Sequence, residues 1–215
     1  FPNFRTALAK NMHTLGFRHI NSVSSGSEAL SICRKNHYDI IFSDYNLGNG
    51  KNGQQLLEEI RYLKLCKLSD LFVLISADTS RDVVMASYDC EPNDYLTKPI
   101  TGKTLEQRIR RLLAKRQELS PVYTAIDDAN LDKAIRLLEE LLNANSRYSV
   151  DCQKLLGDLY LRQNKYELAE DLYKTVLSSR ELDWAKVGLA NVELAYGQYG
   201  IAASSLDVII DDHPS

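Results

Sequence analysis

The chain has 215 residues and a net charge of −3, from 26 Lys and Arg against 29 Asp and Glu. That length suits one or two domains, and the near balance of charge gives no basis for wholesale binding to nucleic acid or to an acidic membrane. With 44% apolar and 26% charged residues, disorder, collagen and a coiled-coil rod are excluded. No apolar run approaches the ~20 residues that a membrane span needs, and no charged and apolar leader opens the chain. Cys33, Cys66, Cys90 and Cys152 are spread without a CxxC pair. This argues against a disulfide framework or a zinc site and for a reducing, cytoplasmic setting. A chain that opens on Phe1 rather than Met is expected to be a piece of a longer protein.

Helix-like and strand-like segments alternate through the first half. Phe4, Leu8, Met12 and Leu15 recur at helical spacing, and Gly16 stops that helix. His19 to Val23 reads as a short strand. Ser25-Gly26-Ser27 opens a second helix through Ala29, Leu30 and Cys33, with hydroxyls placed to cap its first amides. Tyr38 to Asp44 is an apolar run of strand length, followed by a Gly- and Asn-rich loop over Asn46 to Gly53. Leu56, Ile60 and Leu63 mark a third helix, and Leu71 to Ile75 is a continuous apolar run ending in Ser76. A weaker fourth helix is expected over Arg81 to Tyr88. Tyr95-Leu96 is a short strand before Lys98-Pro99, and Leu105, Ile109, Leu112 and Leu113 mark a fifth helix.

Short apolar runs between helices indicate a parallel sheet covered on both faces. Ligands bind such sheets beyond the carboxyl ends of the strands. Asp44, Ser76 and Lys98 stand at those ends, which places an anion, a hydroxyl and a cation on one edge.

Glu118-Leu119-Ser120-Pro121 reads as a boundary, since proline disfavours helix in the residue before it. Two domains are expected, 1–117 and 122–215. Only helical periodicity follows the boundary. Ala134, Ala169 and Ala202 are 35 and 33 residues apart, each after a polar turn: Ala129-Asn130-Leu131, Asn164-Lys165-Tyr166 and Gly197-Gln198-Tyr199. A period near 34 with small residues where helices cross resembles the tetratricopeptide repeat. Gly157 and Ala169 would let two antiparallel helices approach, with Tyr160 and Tyr173 filling the space beside them. An ordinary helical bundle is the alternative.

Ser43-Asp44-Tyr45-Asn46-Leu47, Leu74-Ile75-Ser76-Ala77 and Asp94-Tyr95-Leu96-Thr97-Lys98-Pro99 occur in order, with 32 residues from Asp44 to Ser76 and 22 more to Lys98. Together with Gly26-Ser27-Glu28-Ala29-Leu30, these blocks resemble the receiver domain of two-component response regulators over roughly residues 1–117. The resemblance implies a doubly wound, flavodoxin/CheY-like α/β fold that lacks its first strand here, followed by the all-α tetratricopeptide-like domain. It implies a phosphorelay in which Asp44 takes a phosphoryl group from a sensor histidine kinase. Lys98 would neutralise the phosphoryl oxygens, and Ser76 would donate a hydrogen bond to one of them. Tyr95 would be a switch aromatic that follows Ser76. Asn46, Ala77 and Asp78 would tune hydrolysis and access. Mg²⁺ would be held by Asp44, by the backbone carbonyl of Asn46 and by an acidic pair expected upstream of Phe1, oxygen ligands that suit a hard ion. Two departures stand out: Gly48 replaces the family's usual Pro, and the loop before Gly53 is about one residue longer.

The resemblance implies a phosphoacceptor switch rather than an enzyme, with a protein or peptide ligand on the repeats and pairing of two receivers as a further interaction. A phosphohydrolase of the haloacid-dehalogenase type would want a second Asp where Asn46 stands. A receiver-like scaffold that is never phosphorylated is the other rival. The basic run Lys103, Arg108, Arg110, Arg111, Lys115 and Arg116 reads as the solvated face of a helix rather than a nucleic-acid site. His13, His19, His37 and His213 show no ligand spacing and read as surface residues.

Overall fold

The computed structural model describes residues 2–48, 50–77 and 92–212. The expected helix over Arg81 to Tyr88 lies outside the described residues, as do the expected tuning residue Asp78 and also Cys90 and His213. The chain divides into two compact units, residues 1–118 and 119–215.

Among the described residues, the first unit is built on three parallel strands, β1 (Ile40–Asp44), β2 (Leu71–Ser76) and β3 (Asp94–Thr97), in the order β1-β2-β3. Every residue of β2 is buried, as the continuous apolar run requires of a strand covered on both faces. Its alternate side chains serve two cores. Leu71, Val73 and Ile75 pack with Met12 of α1 (Pro2–Thr14) and with Leu105, Ile109 and Leu112 of α4 (Gly102–Asp127). Phe72 and Leu74 pack with Leu30 and Cys33 of α2 (Gly26–Cys33) and with Leu56, Leu57 and Ile60 of α3 (Gly53–Tyr62). The sheet is thus sandwiched between two helical layers, an α/β fold with a parallel sheet.

Local chemistry sets the helix ends. Gly16 takes φ +96° just past α1, a conformation open to glycine at little cost. Ser25 caps α2 by accepting from the Glu28 amide, and Asn52 and Gln55 form a reciprocal capping box at the start of α3. The expected strand over His19 to Val23 does not form. A strand needs a neighbour for its backbone groups, and among the described residues no ladder runs beside this segment. It is held instead by Ile20, packed against the α1–α4 core, and by Arg5, whose guanidinium donates to the Val23 carbonyl.

The expected break at Pro121 is also absent: α4 runs unbroken through it. An interior proline costs about 3 kcal/mol. Leu119 and Val122, on either side, are fully buried in the core of the second unit. Burial of such side chains stabilises by about 1.5–3 kcal/mol each, enough to hold the helix through the proline.

The second unit takes the end of α4 and five further helices, α5 (Leu131–Asn143), α6 (Ser149–Arg162), α7 (Tyr166–Ser179), α8 (Asp183–Ala195) and α9 (Tyr199–Asp212). One left-handed turn ends α4, α5, α6 and α8, at Ala129, Asn145, Asn164 and Gly197, and it also follows α1 at Gly16 and α3 at Lys64. Ala129, Asn164 and Gly197 have φ of +56°, +56° and +74°. The next amide in each case bonds back five residues, to the Ala125, Tyr160 and Glu193 carbonyls. Ala134, Ala169 and Ala202 are each the fourth residue of the helix that follows, and all are completely buried. Tyr173 lies between two glycines: a Cβ on Gly188 would collide with its ring, and one on Gly157 would sit 2.7 Å from it. The closeness expected of Gly157 is therefore present, with Gly188 as a second small residue that the period did not single out.

Candidate functional site

Parallel strands end on the same side, so the residues that terminate them share a rim. Asp44 closes β1 and is in register with Ile75; Ser76 closes β2 and is in register with Thr97. Two backbone bonds carry the ladders one step further, Tyr45 N to Ile75 O and Lys98 N to Ser76 O, both 2.7 Å. At this rim the Lys98 ammonium and the Asp44 carboxylate form an ion pair. Both side chains are largely enclosed, with 17% and 23% of their surface exposed, so water screens the pair less than it would on an open surface. The ammonium also stands over the Phe4 ring, 4.7 Å from its centroid.

The loop after β1 is tied to the same carboxylate. The Asn46 amide donates to Asp44 Oδ1 at 3.3 Å, and the Asn46 side-chain oxygen accepts from the Gly48 amide at 3.0 Å. Gly53 donates to the Tyr45 carbonyl at 2.7 Å and returns the loop to α3. A Cβ there would collide with the Asp44 carbonyl and come within 2.9 Å of Leu74, so only glycine closes this loop without displacing the backbone that carries Asp44. Ser76 is buried and Ala77 is exposed. Tyr95 is half-buried and packs toward the α2–α3 core. The oxygen ligands expected of this chain, the Asp44 carboxylate and the backbone carbonyl of Asn46, belong to the end of β1 and the loop after it. This all-oxygen set suits a hard cation such as Mg²⁺ rather than a soft one.

A second group of charged side chains lies at the opposite, amino ends of the strands. His37 Nε2 is 2.7 Å from Asp70 Oδ2, which also accepts from the Lys67 amide at 2.7 Å. Asp39 joins them, and the three residues offer ligand atoms within 4.8 Å of one another. The group already contains its cation. Arg116 of α4 donates to Asp39 at 2.7 Å and stands 3.8 Å from Asp70 Oδ1, a buried oxygen that accepts no hydrogen bond. That hydrogen bond holds the Asp39 carboxyl below its ordinary range, against a smaller effect of burial. A metal would have to displace Arg116, so we read the cluster as an electrostatic tie between α4 and the strands. It did not stand out in the sequence. His37 and Asp39 are near neighbours, but their partners lie 33 and 77 residues away. Phe4 was legible only as one apolar position in a helical period.

A family model for the response regulator receiver domain matches residues 1–110. The chemotaxis protein CheY-3 of Vibrio cholerae serotype O1 is 28% identical over 116 residues, 54% of this chain and 87% of that protein. The chemotaxis protein CheY of Pseudomonas aeruginosa is 26% identical over 116 residues, 54% of this chain and 91% of that protein. Among solved structures, that of the chemotaxis protein CheY4 of Vibrio cholerae matches with a TM-score of 0.47 and 21% identity, covering 51% of this chain and 89% of its own. A two-component response regulator from Clostridium difficile matches with a TM-score of 0.47 and 19% identity, covering 53% and 88%.

Proposed function

Since the chain belongs to the response regulator receiver family, we propose that it is a phosphorylation-controlled switch in which Asp44 is the acceptor and the helical second unit binds a protein partner. The observation that carries this reading is the Asp44–Lys98 ion pair at the carboxyl ends of the strands, with Ser76 ending the strand between them. A carboxylate oxygen of Asp44 attacks the phosphorus of a phosphohistidine on a sensor kinase. The phosphorus–nitrogen bond breaks, imidazole leaves, and an aspartyl phosphate remains. Such a transfer depends on positioning and on neutralising charge at the phosphoryl oxygens. Lys98 supplies a fixed positive charge and Ser76 a hydroxyl donor. Mg²⁺ would be held by Asp44 and the Asn46 carbonyl with water and further carboxylates, and when bound it neutralises part of the phosphoryl charge. Ala77 keeps the approach to Asp44 open, and Tyr95 follows the movement of Ser76. The protein is a switch and not a turnover enzyme.

For the second unit, completely buried Ala134, Ala169 and Ala202, 35 and 33 residues apart and each the fourth residue of its helix, favour a tetratricopeptide-type array. Arrays of this kind present extended surfaces to peptides and helices.

The test is intact mass after incubation with acetyl phosphate and Mg²⁺. The expected result is a gain of one phosphoryl group on the wild-type chain and none on Asp44→Asn. No gain on a chain extended upstream of Phe1 overturns the phosphorylation reading and leaves a scaffold.

A further inference from the structure

The geometry points to Phe4 as a positioning residue for Lys98: its ring face fixes the ammonium at the rim where Asp44 stands. The Lys98 ammonium is held from two directions, by the Asp44 carboxylate and by the Phe4 ring at 4.7 Å from the centroid. The face of an aromatic ring attracts a cation, and more strongly where water is excluded. Here Lys98 is largely enclosed. Phe4 is itself anchored, since it lies in the first turn of α1 and packs against the core that Met12, Ile75, Leu96 and Leu105 share. The backbone of Lys98 is fixed separately by its bond to the Ser76 carbonyl. Both ends of the lysine are therefore located, the charged one by the ring together with the Asp44 carboxylate.

The choice of an aromatic has a chemical consequence. A second carboxylate beside Lys98 would hold the ammonium as well, but its charge would repel an incoming phosphoryl group. A ring face holds the ammonium without adding a full negative charge. Acyl phosphate formation consumes the Asp44 carboxylate and leaves the ring unchanged. This last consequence rests on the phosphoacceptor reading; the positioning itself does not.

The experiment replaces Phe4 with mono-, di- and trifluorophenylalanine, which nearly keep its shape and progressively drain negative charge from the ring face. Phe4→Tyr and Phe4→Leu complete the series, and circular dichroism confirms the fold of each. The first readout is the rate at which Lys98 is acetylated by a dilute amine-reactive ester, resolved by peptide mass mapping with exposed Lys103 as the internal control. It needs no phosphorylation. The expected result is a rate that climbs with each fluorine, reaching about three- to tenfold in the trifluoro and Leu variants, with Tyr close to wild type. A rate that ignores fluorine and rises only in Phe4→Leu makes Phe4 a packing residue and overturns the proposal, as does a rate flat throughout. The second readout is uptake from acetyl phosphate, expected to slow in the same order. A graded acetylation rate in a protein that takes up no phosphate upholds the positioning and overturns the phosphoacceptor reading alone.

Discussion

At the scale of single residues, two positions near the rim and the opposite strand ends carry separable consequences. Gly53 has no space for a side chain, because a Cβ would strike the Asp44 carbonyl, Leu74 and, at 3.0 Å, the Ser43 hydroxyl. Two of these three neighbours are fixed in β1, so the backbone has to move. Gly53→Ala is expected to destabilise the first unit by about 1–3 kcal/mol, the usual cost of overpacking. The check is a urea titration in which the midpoint falls and the slope is unchanged. At the other end, the hydrogen bond from Arg116 holds the Asp39 carboxyl below its ordinary value. A carboxyl lowered on folding adds stability that is present above its unfolded pKa, about 3.9. That stability is lost as pH falls through the lower, folded value. Arg116→Met removes the cause. The variant is expected to be less stable at neutral pH, because buried Asp70 loses the guanidinium that stands 3.8 Å from its Oδ1, and to lose stability less steeply below about pH 4. Melting temperatures measured down the acid range at low salt check this. Since Asp39 is mostly exposed, the difference is small and shrinks with added salt. Equal slopes would contradict it.

At the scale of elements, α4 makes the sharpest prediction because it keeps a proline where the chain pattern asks for a break. Pro121 is exposed and has six helical residues after it, while Leu119 and Val122 are buried. The proline costs the helix an amide hydrogen bond and crowds the carbonyl four residues before it. Pro121→Ala is therefore expected to stabilise the protein, by about 1–3 kcal/mol once the proline's restriction of the unfolded chain is set against its cost. A melting temperature that falls would show that the proline is accommodated without strain. This helix also shows what the sequence made legible. Apolar spacing revealed where Leu105, Ile109 and Leu112 face, and the unbroken run Leu71 to Ile75 revealed a strand buried on both sides, because both signals are local and periodic. Asp44, Ser76 and Lys98 could be aligned because each follows an apolar run of a parallel sheet. The fate of Pro121 was hidden, since it turns on burial of Leu119 and Val122 against helices far along the chain. The same holds for His19 to Val23, whose strand-like pattern meets no ladder, for Gly188 against the Tyr173 ring, and for Phe4 over Lys98, a contact spanning 94 residues.

At the scale of the whole molecule, the division at residue 118 falls inside α4, so the last turns of one helix belong to the core of the second unit. Leu119, Val122 and Ala125 are each about 1% exposed there, packed with Ala134, Ile135, Leu138 and Cys152 among others. Burying the Leu and Val contributes about 3–6 kcal/mol together. Domains of this size have only about 5–15 kcal/mol in hand. A second unit cut to begin at residue 118 is therefore expected to fold, and one cut to begin at residue 129 to melt at a markedly lower temperature or not to fold. Trp184 is the protein's single tryptophan and sits edge-on to Tyr173 at 6.2 Å between ring centroids, so its fluorescence reports this core alone. Thermal melts of the two fragments, followed by that emission and by helical circular dichroism, decide the matter. Coincident transitions would mean that the end of α4 only covers the helices behind it, and that the five helices from Leu131 onward hold their packing without it.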